Sequence, residues 1–171
     1  DNGAQPVWSF IKSQCMHCKD PACASACPVG AFTKLPNGAV TYDYDKCIGC
    51  RYCMIACPFN VPKYEWEKSL FPWVRKCTFC SERIAEGLIP ACIKVCPTKT
   101  MFYGDRDEVI AEAQKRIQEH PENYVNHIYG KDEAGGTSWV YLSAAPFEQI
   151  GFNTAIPAKR LPDNTWAMLR E

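Results

Sequence analysis

The chain has 171 residues, balances 19 Lys+Arg against 19 Asp+Glu, and contains 12 cysteines. No stretch approaches the roughly 18 apolar residues of a membrane-spanning helix, and the lack of any basic run argues against nucleic acid as a partner. Residues 1–100 carry 12 Lys+Arg against 8 Asp+Glu and residues 101–171 carry 7 against 11; the basic surplus thus surrounds the cysteines, where it would offset buried negative charge.

The opening Asp1-Asn-Gly-Ala-Gln-Pro6 has neither a charged n-region nor an apolar h-region and is not a signal peptide. It lacks an initiator Met, and the chain is expected to be a fragment or a reduced variant. The first cysteine group follows as Cys15-x2-Cys18-x4-Cys23-x3-Cys27-Pro28. Residues 31–42 read as a hairpin turned by Asn37-Gly38. The second group is Cys47-x2-Cys50-x2-Cys53-x3-Cys57-Pro58. The aromatic stretch with Tyr64, Trp66, Phe71 and Trp73 is expected to pack over the cysteine sites, and Pro62 and Pro72 exclude a long helix there. The third group is Cys77-x2-Cys80-x11-Cys92-x3-Cys96-Pro97. Inside it, residues 80–87 read as a short helix ended by Gly87. Thr100–Tyr103 reads as a strand. Asp105 is then expected to cap a helix of about 14 residues, with Glu108 completing a capping-box-like pair and Val109, Ile110, Ala113 and Ile117 as its buried stripe. Thr137–Leu142 reads as a further strand. From Pro146 onward the chain reads as an extended tail that wraps a partner rather than building a core.

All cysteines lie in the three groups, and each group closes with Cys-Pro. A disulfide framework would space them irregularly in a shorter chain. A zinc knuckle has no use for a third cysteine two residues on. Iron–sulfur ligation remains. His17 sits between Cys15 and Cys18 but has four cysteines around it; it is read as loop filler, or as tuning a potential through a hydrogen bond. His120 and His127 are read as structural. No Ser/His/Asp arrangement, phosphate loop or dinucleotide fingerprint is present, so the chain shows no substrate chemistry of its own.

The second group is similar to the C-x2-C-x2-C-x3-C-P run of bacterial ferredoxins, whose fourth cysteine ligates the other cluster. That pattern implies one cluster on Cys15, Cys18, Cys23 and Cys57 and another on Cys47, Cys50, Cys53 and Cys27. Together with Gln14–Cys18, Asp20–Cys23, Cys47–Asn60, Pro90–Cys92 and Cys96–Thr98, the chain resembles the four-cluster iron–sulfur subunits of bacterial respiratory complexes. These include formate dehydrogenase, hydrogenase-2-type enzymes, and polysulfide, dimethyl sulfoxide and menaquinone reductases. Residues 127–137 through Pro146-Phe-Glu148 look most like the hydrogenase-2 type.

The resemblance implies an α+β fold of tandem ferredoxin-like modules over residues 1–100, with a helix/strand extension and tail over 101–171. It implies three 4Fe-4S clusters, with a fourth or a 3Fe-4S variant if an upstream cysteine segment exists. Cys77, Cys80 and Cys92 would hold three corners of the third; Cys96 would reach the fourth, or all four would close one cube alone. It further implies a non-catalytic electron-transfer subunit. Its partners would be a catalytic subunit (molybdopterin, tungstopterin, nickel–iron or haem) and a quinone-linked membrane subunit. Its place would be the periplasmic face of the cytoplasmic membrane, or alternatively the cytoplasm. A free-standing polyferredoxin and a zinc-stabilised interaction module are the competing functions. The family's first cysteine group has no counterpart in this sequence.

Overall fold

The computed structural model describes residues 9–168 except Ser69 and Phe71; the expectations for Asp1–Pro6 and for Phe71 fall outside that set. The fold mixes short helices with short antiparallel strands. Helix α1 (Ala22–Ser25) leads into the hairpin β1 (Phe32–Lys34) and β2 (Val40–Tyr42), paired Phe32↔Tyr42 and Lys34↔Val40. The turn forms where Asn37-Gly38 predicts it. Gly38 takes φ +86°, and a Cβ there would meet Ser138 Oγ at 3.0 Å, so both conformation and space favour glycine. Asn37 Oδ1 accepts the Ala39 amide at 3.1 Å.

Helix α2 (Tyr52–Ala56) packs against α1. The strands β3 (Lys63–Tyr64) and β4 (Val74–Arg75) form a second two-stranded sheet, held at its loop end by Glu65, which pairs with Lys68 at 2.9 Å and Arg75 at 2.5 Å. Ala31, Phe32, Val40, Cys53 and Val74 form one core beneath these elements, with Cys23, Cys27 and Cys47 packed at its edge. Tyr64 joins this core, as expected of the aromatic stretch. Trp66 does not: it is 64% exposed, with the Arg51 guanidinium 4.9 Å over its ring. A cation on the ring face keeps an amphipathic indole stable at the surface.

Helix α3 (Ser81–Ala85) ends at Gly87, φ +74°, with the Leu88 amide bonding Arg83 O at 2.8 Å. This is the glycine-terminated helix end that the sequence predicts. Helix α4 (Ala91–Lys94) follows. Thr100–Tyr103 forms no strand; β-prone residues need an edge to pair with, and none lies beside them. Helix α5 (Arg106–Glu119) has the expected 14 residues. Its Asp105 side chain makes no cap bond, and the first turn is closed by the backbone bond from Val109 N to Asp105 O at 2.9 Å. Of its expected stripe only Ala113 is buried, with Val109, Ile110 and Ile117 half-buried.

Thr137–Leu142 is not a continuous strand. It makes isolated bridges, Cys18↔Thr137 and Tyr129↔Tyr141. Gly130 (φ +94°) lets it close: a Cβ there would lie 2.6 Å from Thr137 Oγ1 and Trp139 O.

The expectation that the tail from Pro146 builds no core is corrected by the structure. Phe147 and Ile156 are buried with Met16, Tyr129 and Ala134, and Ile150, Phe152 and Leu161 pack against them. Tyr129 stacks on Phe147 with centroids 5.1 Å apart and meets Phe152 edge-on at 4.7 Å. Tyr129 Oη donates to Asn153 O at 2.9 Å. The anchors lack helical or strand spacing because the segment is irregular until α6 (Pro162–Met168). Replacing Phe147 with Ala should therefore cost about 3–5 kcal/mol in denaturant unfolding; a change within about 0.5 kcal/mol, as for a surface side chain, would mean that the tail is peripheral.

Candidate iron–sulfur centre

Each cysteine group uses one backbone device. The residue before the second cysteine is left-handed in all three: His17 (φ +48°), Gly49 (φ +71°) and Phe79 (φ +61°). This turn brings its amide to the first sulfur. Gly49 N–H donates to Cys47 Sγ at 3.4 Å and Phe79 N–H to Cys77 Sγ at 3.3 Å. The His17 amide acts on Cys15 in the same sense, lowering its pKa against burial. A second left-handed residue follows each Cys-Pro: Gly30 (φ +62°), Asn60 (φ +51°) and Lys99 (φ +52°). Its amide bonds back to the carbonyl of Cys27, Cys57 or Cys96 at 3.1–3.3 Å. Ala31 N–H then donates to Cys27 Sγ at 3.3 Å. Non-glycine residues enter this region at a cost, so its repetition marks a constrained loop rather than a flexible one.

The thiols act on one another. Burial pushes Cys18 up to about 12, and Cys15, Cys57 and Cys23 add to it. Cys23 is likewise raised to about 12 by burial, then by Cys15 and Cys57. Cys53 rises to about 11 through burial, then Cys47, Cys50 and Cys27. Cys15 is raised by burial and feels Cys57 and Cys77. Cys96 differs: the Thr100 hydroxyl at 3.4 Å and the Thr98 hydroxyl at 3.5 Å pull it down to about 6. Cys77, Cys80 and Cys92 are half-buried.

Two lysines that the sequence reading did not single out border the first group. Lys34 Nζ donates to His17 O at 3.1 Å, Gly38 O at 2.8 Å and Ser138 Oγ at 3.2 Å. Lys76 Nζ bonds Val40 O, and Cys77 O at 3.1 Å, and its charge lowers the pKa of Cys15 and Cys23. The available signal was parity: Lys34 shares a strand face with the buried Phe32. The segment after Gly135 clamps the same loop, with Lys19 N–H on Gly136 O at 2.9 Å, and Ser138 N–H on His17 O at 3.0 Å and Trp139 N–H on Met16 O at 3.1 Å. Arg106 secures that segment through Thr137 O at 2.8 Å and Lys131 O at 2.7 Å.

His127 is structural, as read: its Nε2 lies 2.7 Å from the buried Glu133. His120 lies at the surface, 3.5 Å from Glu122. His17 is wholly buried, so it is more than filler.

The donor set is all sulfur, amides are aimed at it, and two lysines stand beside the first group; these features fit 4Fe-4S clusters. Among the described residues, no three Cys, His, Asp or Glu side chains converge as a single-ion site requires, whereas a cube spreads its thiolates over separate corners. The family whose profile matches is the 4Fe-4S dicluster domain, over residues 6–106. A protein of Nitratidesulfovibrio vulgaris is 49% identical over 156 residues, covering 91% of this chain and 42% of its own length. The hydrogenase-2 operon protein HybA of Escherichia coli O157:H7 is 41% identical over 169 residues, covering 84% of this chain and 51% of its own. The iron–sulfur subunit of nitrate-inducible formate dehydrogenase of Escherichia coli K12 is 38% identical over 138 residues, covering 79% of this chain and 46% of its own. The chain thus spans about half the length of the curated relatives it matches.

Cys18 and Cys23, raised to about 12, and Cys53, raised to about 11, are protonated thiols at neutral pH, while cluster ligands are thiolates. Loading the apo-protein with iron and sulfide should therefore release a proton from each of these cysteines, beyond those that hydrosulfide gives up as it becomes bridging sulfide, and should become more favourable as pH rises. A pH-stat trace during anaerobic loading, set against the same iron and sulfide without protein, reads both; no excess of protons over that blank would show that these thiols are already ionised.

Proposed function

Because the chain belongs to the 4Fe-4S dicluster family, we propose that it forms the electron-transfer subunit of a respiratory oxidoreductase, passing single electrons between a catalytic subunit and a quinone-linked membrane subunit. Bound clusters supply the one-electron chemistry; the chain supplies the spacing, charge and insulation. The relatives support this reading, one being the product of a hydrogenase operon and another a subunit of a formate dehydrogenase.

The observation that carries the reading is the pairing of fields among the thiols. Cys18 and Cys23 feel Cys57 across the chain, Cys23 feels Cys53 more weakly, and Cys53 feels Cys27. This supports crossed ligation, with Cys15, Cys18, Cys23 and Cys57 on one cube and Cys47, Cys50, Cys53 and Cys27 on another. Residues 1–100 then hold ferredoxin-like modules in tandem, and residues 101–171 brace them. The influence of Cys77 on Cys15 supports a third cube on Cys77, Cys80 and Cys92, next in line to the first. Cys96 then reaches to a fourth cluster, or closes the third cube with Cys77, Cys80 and Cys92.

Exposed apolar side chains beside the second group, Ile48 (66% exposed) and Ile55 (82%) with Tyr52 between them, supply a face for a partner subunit. No helix among the described residues is long and apolar enough to cross a membrane. The complex would sit against the periplasmic face of the cytoplasmic membrane through its partners.

Two measurements test this. The protein isolated from native membranes should contain iron and acid-labile sulfide in equal amounts, with little zinc, and should co-purify stoichiometrically with larger subunits; isolation alone, or with zinc and no sulfide, would sink the proposal. Cys57→Ser should remove or alter the cluster of Cys15, Cys18 and Cys23 and leave the spectrum of the cluster of Cys47, Cys50 and Cys53 intact. The opposite pattern would reject crossed ligation.

A further inference from the structure

His17 is fully buried, yet its Nε2 has no hydrogen-bond partner among the described residues. Buried polar nitrogens are seldom left so, and each one asks for an acceptor. The tautomer follows from the other ring nitrogen. Nδ1 accepts the Val40 N–H of β2 at 2.9 Å, so in the neutral ring the proton resides on Nε2. The ring is also fixed in place: Phe79 packs on it with centroids 4.6 Å apart.

His17 and Phe79 occupy the same position in their loops, the left-handed residue before the second cysteine. In the second group that position is Gly49 (φ +71°), the residue this backbone prefers. The first loop therefore bears the strain of a side chain where glycine would be easier, and presents a donor with nothing of the chain to receive it. No cysteine sulfur accepts the Nε2 proton either, which leaves the inorganic sulfide that the loop of Cys15 and Cys18 would enclose.

We infer that His17 Nε2–H donates a hydrogen bond to an inorganic sulfide of the cluster held by Cys15 and Cys18, raising the reduction potential of that cluster alone. A donor aimed at sulfur stabilises the reduced, more negative cluster, and hydrogen bonds of this kind are among the terms that set such potentials. The contact with Phe79 places the same ring at the seam with the loop of Cys77 and Cys80, on the side where an electron would pass to the third group. This inference rests on the cluster assignment of Cys15 and Cys18 proposed above.

The test uses the full chain isolated with its clusters. In an EPR-monitored redox titration, His17→Phe should lower the reduced-to-oxidised ratio of one cluster about tenfold at a fixed poise, equivalent to about 59 mV for a one-electron couple, with the others unmoved. His17→Gln, which restores an N–H near the Nε2 position, should recover part of the shift. With histidine 15N-labelled in the imidazole ring alone, the reduced cluster of the unaltered protein should show a nitrogen hyperfine coupling that vanishes in His17→Gln. Unchanged potentials in a fully loaded His17→Phe protein would overturn the inference and leave Nε2 facing the Phe79 ring. If His17→Phe loses its clusters, the labelled unaltered protein decides: no histidine coupling overturns it. Iron and sulfide counts on Cys15→Ser test the underlying assignment separately.

Discussion

Several sulfur donors that must carry charge sit where partial burial and one another's charge oppose ionisation, and the rest of the structure answers to that constraint. Burial alone drives Cys18, Cys23 and Cys53 far toward the protonated thiol, and neighbouring thiols push in the same direction. The chain responds with fixed partial and full charges. Left-handed turns aim amides at Cys47 and Cys77, Ala31 does so at Cys27, and Lys34 and Lys76 stand beside the first group. Iron supplies the remaining positive charge when clusters are bound. A fold with so little regular structure keeps its shape because these loops are tied at both ends, by the backbone device after each Cys-Pro and by the clamp of residues 136–139.

That clamp explains why the acidic second part of the chain accompanies the cysteine region. Residues 136–139 bond Met16, His17 and Lys19, and Arg106 at the start of α5 bonds the carbonyls that hold the clamp in place. Met16, from the first cysteine loop, is a member of the aromatic core built by Tyr129, Phe147 and Ile156. The second core is thus seated on the first cluster loop and restrains its motion. Restraint of this kind suits electron transfer, where the surroundings should reorganise little as charge moves.

The local backbone features around the cysteines were legible in the sequence because each is set within a few residues. The Cys-Pro closures, the Asn37-Gly38 turn, the Gly87 helix end and the length of α5 are each set by residues within a few positions of one another, and each appears in the structure where the sequence places it. Interactions between segments that are not neighbours in the sequence were not legible. Thr137–Leu142 has β-prone residues but bridges singly to Cys18 and Tyr129 rather than joining a sheet. The tail has no periodic apolar pattern, yet Phe147, Phe152 and Ile156 reach one core through an irregular path. Trp66 carries an aromatic side chain that the sequence alone assigns to packing, and Arg51 holds it at the surface instead. His17 reads as filler because only the fold reveals that its two ring nitrogens are treated differently.

The central claim is that two cysteine groups exchange their last ligands, which makes the pair of clusters a single structural unit. Anomalous scattering at the iron edge from crystals of the cluster-loaded protein tests it most directly. The account predicts iron–sulfur bonds from Cys57 to the cube that also binds Cys15, Cys18 and Cys23, and from Cys27 to the cube that also binds Cys47, Cys50 and Cys53. Cys27 bonded to the cube of Cys15 would contradict it.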